Sequence, residues 1–141
     1  MIKVLLIDDN VSFLKALIDD LKEPDIEFEY LDPTDVPEEL RGLASQTREY
    51  LREHVPVVLR NEKIDLALLD YSFGNGNYGI DIVDLFEDAQ VPVIAFSSYD
   101  EHNKTLMKYG AISDFNKTRK PRELPNIIRE TIKNYNSKPQ Q

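Results

Sequence analysis

The sequence lacks cysteine, has no apolar stretch long enough to span a membrane, and carries fewer basic than acidic residues. Without cysteine, disulfides and thiolate metal sites are excluded, and a reducing cytoplasm is the expected location. We expect neither a membrane partner nor a signal peptide. The 17 Lys and Arg against 26 Asp and Glu give a formal net charge of −9, which argues against a nucleic-acid partner because phosphate-backbone binding needs a basic face.

What the sequence does contain is a regular alternation of strand-like and helix-like patterns over its 141 residues. The predicted strands cover residues 2–7, 28–31, 64–69, 91–96 and 113–116. Amphipathic segments between them predict helices, which pack on both faces of a parallel sheet through right-handed crossovers. The predicted fold class is α/β, a flavodoxin-like, doubly wound five-stranded parallel sheet with strand order 2-1-3-4-5.

Proline and glycine set the predicted helix boundaries. The first helix ends before Pro24, and the second opens at Asp35 or Pro37 and is stopped or kinked at Pro56. A loop rich in Gly and Asn, residues 73–79, precedes the third helix. The remaining two predicted helices cover Asp100 to Tyr109, ended by Gly110, and a segment that opens at Pro121 or Pro125. We predict one domain over residues 1–136, with an extended segment at about 33–61 and a frayed tail at 137–141.

Three acidic residues follow two of the predicted strands. Asp8 and Asp9 end the apolar run Val4–Ile7, and Asp70 ends the run Leu66–Leu69. In the predicted order strands one and three are neighbours, so the three carboxylates meet at the carboxyl edge of the sheet, where ligands bind in such folds. Packed carboxylates repel one another unless a cation neutralises them, and hard oxygen ligands suit Mg2+. The sequence therefore predicts a Mg2+ site beside an aspartate.

Other motifs extend this pattern to nearly the whole chain. The run Pro92–Ser98 forms the fourth predicted strand and its exit, and Gly110–Ala111 begins seven residues before Lys117. Leu124 then falls in the last predicted helix. Together with the acidic pair and Asp70, these motifs resemble the response-regulator receiver domain (CheY-like) of bacterial two-component signalling.

The resemblance implies a role for each of six positions. Asp70 would be the phosphoacceptor, and Asp8 and Asp9 the acids of the metal site. The metal would also bind Asp70 itself and the backbone carbonyl of Ser72. Ser97 would supply the switch hydroxyl, and Lys117 would contact the oxygens of the transferred phosphoryl group, whose negative charge must be neutralised.

A stand-alone receiver of this family implies partners rather than a separate substrate. It would accept a phosphoryl group from a sensor histidine kinase or a histidine phosphotransfer protein and then dock to a downstream protein. It would catalyse only its own phosphorylation and dephosphorylation. One alternative is a pseudo-receiver, a binding module that is never phosphorylated. The other is a Mg-dependent phosphatase of the haloacid dehalogenase type, but Asp8-Asp9-Asn10 does not supply the Asp-x-Asp that this class needs.

The chain departs from the family pattern near the expected site. Thr118 stands where a proline is usual, and the loop after Asp70 lacks the common proline. Asp114 occupies the position of the switch aromatic, with Phe115 beside it. We therefore expect switching to remain local to the loop after strand four. His54 and His102 are expected to be exposed helix residues without a role.

Overall fold

The computed structural model describes residues 1–137, which contain a five-stranded parallel sheet of order β2-β1-β3-β6-β7. The strands are β1 (Ile2–Ile7), β2 (Ile26–Leu31), β3 (Leu66–Leu69), β6 (Val93–Ala95) and β7 (Ser113–Asp114). β4 (Ser72–Gly74) and β5 (Asn77–Tyr78) form a separate antiparallel hairpin. Because β6 and β7 are the predicted fourth and fifth strands, the predicted order 2-1-3-4-5 is confirmed.

The two strands that precede the acids, β1 and β3, are interior strands of the sheet, and most of their residues are apolar and buried. Every residue of β3 and the last four residues of β1 are buried, as expected for strands covered on both faces. The two strands pair in register, with Ile7 opposite Leu69. Asp8 and Asp70 directly follow the ends of these two strands, so they are brought to the same edge of the sheet.

Within residues 1–137, five α-helices flank the sheet: α1 (Val11–Asp20), α2 (Ala44–Asn61), α3 (Val83–Asp88), α4 (Asp100–Tyr109) and α5 (Leu124–Asn136). Short 3-10 turns cover Glu38–Leu40, Gly79–Asp81 and Pro121–Glu123. Asn10 caps α1, since its side chain accepts a hydrogen bond from the Phe13 amide at 3.1 Å. No helix within residues 1–137 is both long enough and apolar enough to cross a membrane.

The sheet separates two hydrophobic cores. The α2-side core joins alternate residues of β1 and β3 to α2, α3 and α4, and includes Leu51, Phe86 and Leu106. The α5-side core joins the other strand residues to α1 and α5, and includes Phe96 and Phe115. Alternation of side chains along each strand places neighbouring strand residues in opposite cores.

The structure corrects the predicted second helix at both ends. The helix begins at Ala44 rather than at Asp35 or Pro37, since Glu38–Leu40 forms only a 3-10 turn and Gly42 adopts φ +80°. Pro56 does not end it, because α2 continues to Asn61. The buried residues Leu51, Val55 and Leu59 form one face that extends across the proline, so packing holds the helix together.

The predicted loop at 73–79 is also wrong in detail, since these residues lie largely in the β4–β5 hairpin. Asn75 and Gly76 form its tip with φ values of +54° and +79°. Two successive positive φ values match the right-handed twist of the flanking strands, and Asn-Gly is the dipeptide that best tolerates them. Of the predicted frayed tail, residues 138–141 lie outside the described residues. Ser137 is described, and its amide donates to the Lys133 carbonyl at 3.1 Å.

Candidate functional site

The carboxyl edge of the sheet brings the three predicted acids together. One carboxylate oxygen from each of Asp8, Asp9 and Asp70 lies within 4.8 Å of the other two. The chain is held there by backbone hydrogen bonds, since the Asp70 amide donates to the Ile7 carbonyl at 3.0 Å. Asp8 and Asp70 are buried and Asp9 is exposed, so the cluster opens to solvent on the Asp9 side.

Lys117 reaches the same cluster from the loop after β7. Its ammonium forms ion pairs with Asp8 Oδ2 and, at 3.3 Å, with Asp70 Oδ1. The ammonium also lies 5.6 Å from the ring centroid of Phe13 and 5.4 Å from that of Phe96, which adds a cation–π contribution. The Lys117 amide donates to the Ser97 carbonyl at 3.1 Å, so this loop is tied to the loop after β6.

The electrostatics of the cluster favour a cation. Burial, with the nearby Asp8 carboxylate, raises the pKa of Asp70 to about 7, although Lys117 opposes the shift. Burial and Asp8 also raise the pKa of Asp9. Both shifts mean that the ionised acids lack sufficient positive charge nearby. Additional positive charge would relieve this deficit.

Asp8 provides a second observation that bears on a metal. Its Oδ1 atom accepts a hydrogen bond from the Asn10 amide at 2.9 Å. Its buried Oδ2 atom is paired with the Lys117 ammonium and accepts no hydrogen bond from another group within residues 1–137. Three converging carboxylates with one neighbouring ammonium fit Mg2+, which binds hard oxygen ligands and retains several waters.

The β4–β5 hairpin lies beside the acids. A Cβ atom at Gly74 would lie 3.9 Å from Asp9 Oδ2. Ser72 is exposed and begins β4, two residues after Asp70. The predicted role of its carbonyl as a metal ligand stays a prediction.

Ser97 is buried at the end of β6 and is fixed mainly through its backbone. The Asn103 side chain accepts from the Ser97 amide at 2.9 Å and donates to the Ser97 carbonyl at 3.2 Å. Asn103 is completely buried in α4, so this pair of hydrogen bonds joins the loop firmly to that helix. The Ser97 hydroxyl oxygen accepts from the Tyr99 amide at 3.2 Å.

Sequence reasoning missed two aromatic neighbours of this site. His102, predicted to have no role, is half-buried and stacks on Tyr71 with ring centroids 4.0 Å apart and an interplanar angle of 17°. Tyr71 directly follows Asp70, and its amide donates to Asp70 Oδ1 at 2.9 Å. The two residues are 31 positions apart, and nothing in a single sequence links them. His54, also predicted to be exposed, is half-buried and stacks on Tyr50 in α2, with ring centroids 5.3 Å apart.

The residues near Lys117 that depart from the receiver-family sequence pattern have well-defined local structures. The Asn116 side chain accepts hydrogen bonds from the Thr118 amide at 2.8 Å and the Thr118 hydroxyl at 2.6 Å, which forms a tight turn without proline. Asp114 is exposed in β7. Phe115 is buried beside Phe96, with ring centroids 6.2 Å apart, so the aromatic nearest the switch position is already part of the α5-side core.

No protein-family model and no curated protein sequence matches this chain. Solved structures do match. The receiver domain of response regulator 1452 from Francisella has a TM-score of 0.68 at 17% identity, and the alignment covers 95% of this chain and 98% of that one. A CheY-like response regulator receiver domain protein from Methanospirillum hungatei JF-1 has a TM-score of 0.66 at 18% identity, with 96% and 97% covered. The receiver domain of NtrX from Brucella abortus has a TM-score of 0.67 at 15% identity, with 92% and 98% covered. At these identities the likeness establishes the architecture, and over nearly its whole length the chain has the fold of response-regulator receiver domains.

Proposed function

We propose that this protein is a phosphorylation-dependent signalling switch that accepts a phosphoryl group on Asp70. The observation that carries the proposal is the convergence of Asp8, Asp9, Asp70 and Lys117 at the carboxyl edge of a receiver fold. Such a site has the parts that phosphoryl transfer requires, namely a carboxylate nucleophile, oxygen ligands for a divalent ion and the fixed positive charge of the Lys117 ammonium.

The contacts of Asp70 indicate which oxygen reacts. Oδ1 is engaged by the Tyr71 amide at 2.9 Å and by the Lys117 ammonium at 3.3 Å. Oδ2 has no such partner among residues 1–137 and is therefore our choice for the nucleophile. Its lone pair attacks phosphorus, the bond from phosphorus to the donor breaks with its electron pair, and Asp70 becomes an acyl phosphate. Lys117, already beside Oδ1, then neutralises phosphoryl oxygens.

In this proposal Mg2+ would be held by Asp8, Asp9, Asp70 and the Ser72 carbonyl. Bound there, Mg2+ would neutralise charge that develops on the phosphoryl oxygens. Asp8 Oδ1 is already taken by the Asn10 amide, so Oδ2 would bind the metal or its bound water in place of the Lys117 ammonium that it contacts. The Ser97 hydroxyl would donate to the same phosphoryl oxygens once they are present, because a charge-assisted hydrogen bond is stronger than a neutral one.

The proposed donor is a sensor histidine kinase or a histidine phosphotransfer protein, and the proposed output is docking to a downstream protein. These partners place the proposed reaction in the cytoplasm. In this proposal the protein acts only on its own Asp70 and has no separate substrate. The alternative of a pseudo-receiver gains support from the Lys117 ion pairs, which already supply part of the counter-charge that Mg2+ would provide.

Intact mass spectrometry after incubation with Mg2+ and acetyl phosphate tests the proposal. We expect the wild-type protein to gain one phosphoryl group that base and hydroxylamine remove, and Asp70→Asn to gain none. Asp20→Asn, which alters an exposed acid at the end of α1, should behave as wild type. A wild-type protein that gains no mass, although it is folded and binds Mg2+, would favour the pseudo-receiver.

A further inference from the structure

His102 is held in a defined orientation beside the site, yet the phosphorylation chemistry leaves it unused. It stacks on Tyr71, and the ring of Tyr99 meets it edge-on with centroids 5.1 Å apart and an interplanar angle of 63°. In this orientation its Nδ1 atom lies 3.4 Å from the Ser97 hydroxyl oxygen. Rings on two sides restrict rotation of the imidazole, so the approach to Ser97 is a property of the packing.

The hydrogen bonds of Ser97 leave one group open. Its amide and carbonyl are bonded to Asn103, and its carbonyl also accepts from the Lys117 amide. The hydroxyl oxygen accepts from the Tyr99 amide at 3.2 Å. The hydroxyl hydrogen still needs an acceptor, and a neutral imidazole with its proton on Nε2 offers one at Nδ1.

We propose that His102 is a positioning residue that holds the Ser97 hydroxyl in the unphosphorylated state and competes with the phosphoryl group for its hydrogen. This inference rests on the proposed function. A hydroxyl has one hydrogen to donate, so donation to Nδ1 and donation to a phosphoryl oxygen exclude each other. His102 therefore lowers the fraction of modified protein in which Ser97 has switched.

The stack on Tyr71 makes the choice of variant important. Because the Tyr71 amide bonds Asp70 Oδ1, His102→Ala would remove the acceptor and also loosen the neighbour of the phosphoacceptor. His102→Phe keeps a planar ring on Tyr71 and removes both ring nitrogens, including the acceptor. His102→Phe is therefore the informative change.

Nitrogen NMR of the imidazole rings tests the contact in metal-free, unmodified protein at pH 8. We expect His102 to carry its proton on Nε2, and we expect Ser97→Ala to shift the Nδ1 resonance more than that of Nε2. His54, which also stacks on a tyrosine but in α2, is the internal control and should not respond. A proton on Nδ1, or an Nδ1 resonance unchanged by Ser97→Ala, would overturn the inference. This measurement requires no phosphorylation, so it separates failure of the inference from failure of the proposed function.

The energetic consequence is measured with beryllofluoride, a phosphoryl mimic, in the presence of Mg2+. We expect His102→Phe to tighten the apparent beryllofluoride affinity about threefold, the size of a modest neutral hydrogen bond. In a Ser97→Ala background the same substitution should change nothing, because the competing hydroxyl is gone. An equal change in both backgrounds, or none in either, would contradict the inference. If the wild-type protein binds no beryllofluoride, the proposed function fails and the inference fails with it, even if NMR shows the contact.

Discussion

Gly79 lies against the backbone carbonyl of Asp70, so closely that a Cβ atom at position 79 would overlap that oxygen. The Gly79 amide also donates to the Tyr71 carbonyl at 2.7 Å. The backbone after β5 therefore supports the backbone at Asp70 and at the residue that follows it, and only glycine fits there. Gly79 has an ordinary φ, so its requirement is one of space rather than of backbone conformation.

Gly79→Ala should therefore damage both the fold and the site. We expect a loss of about 1–3 kcal/mol in the free energy of unfolding, as for other overpacked positions, together with weaker beryllofluoride binding. Urea unfolding and a beryllofluoride titration measure the two effects. Gly42→Ala is the matched control, since Gly42 has positive φ but nothing within 4 Å of the added Cβ. It should cost about 1 kcal/mol from backbone strain and leave binding unchanged.

The raised pKa of Asp70 predicts a pH dependence for the metal-free protein. The folded protein binds this proton more tightly than the unfolded chain, whose Asp pKa is about 3.9, because burial and Asp8 raise the folded value to about 7. Stability should therefore fall as the pH rises from about 4 to about 7 and then level off. In EDTA, Asp70→Asn should be more stable than wild type by about 1–2 kcal/mol at pH 8. The difference should vanish near pH 4, and a constant difference across this range would contradict the assigned cause.

Mg2+ binding should depend most on Asp9. We expect Asp9→Ala to weaken Mg2+ binding about tenfold, which corresponds to about 1.4 kcal/mol, because it removes the exposed oxygen ligand of the cluster. Asp8→Ala should weaken it as well. Asp9→Ala should also be more stable than wild type without metal, since repulsion among the carboxylates is reduced. Asp8→Ala should be less stable, because it leaves the Lys117 ammonium without one of its two carboxylate partners. Calorimetric titration checks the affinities, with Asp20→Asn as the control, and unchanged affinity in both variants would remove Mg2+ from the site.

We expect one face of α2, the helix within the segment 33–61, to contribute to folding stability and the opposite face to contribute little. Leu51 is buried in the α2-side core, whereas Val57, on the same helix, is 39% exposed. Leu51→Ala should cost about 3 kcal/mol in unfolding free energy. Val57→Ala should stay within about 0.5 kcal/mol and leave phosphorylation intact. Thermal unfolding of the two variants measures these changes in stability. A similar loss of stability in both would show that the exposed face of α2 also packs against the rest of the protein.

The conformational response to modification should stay near Ser97. Asn103 joins the Ser97 backbone to α4, whereas Phe115 is already buried beside Phe96 and Asp114 is unsuited to fill an apolar gap. Chemical-shift mapping with and without beryllofluoride should show large changes over 97–103. Small changes are expected at Phe115 and in α5. Large changes along α5 would contradict this prediction and show that the response also passes through the α5-side core.

The sheet and the acidic cluster could be predicted because each depends on local patterns. Apolar runs that end in aspartate place their acids at one edge of a parallel sheet, whatever the loops do. The boundaries of α4 were also predictable, since Gly110, with φ +146°, ends the helix where the sequence placed its end. In each of these cases residues close in sequence determine the result.

The errors arose where tertiary packing or a short turn decided the structure. The Asn75–Gly76 dipeptide was a hairpin signal, but its flanks are too short and too polar to show strand alternation. Pro56 is tolerated because buried residues on both sides of it hold α2 against the sheet. The stack of His102 on Tyr71 depends on how α4 packs against the end of β3, which sequence spacing does not encode.

The division of the interior into two cores has a consequence for where partner proteins would bind the proposed switch. Ser97 is bonded to α4, whose buried Leu106 lies in the α2-side core, while α1 and α5 pack on the opposite face of the sheet. A rearrangement that starts at Ser97 and passes through Asn103 would therefore enter α4 on the α2 side of the sheet, without crossing the strands. In the proposed switch the α1 and α5 face would keep its shape, so a protein bound to that face would stay bound to both the modified and the unmodified form. A second protein, seated on the α2, α3 and α4 face, would distinguish the modified form from the unmodified one.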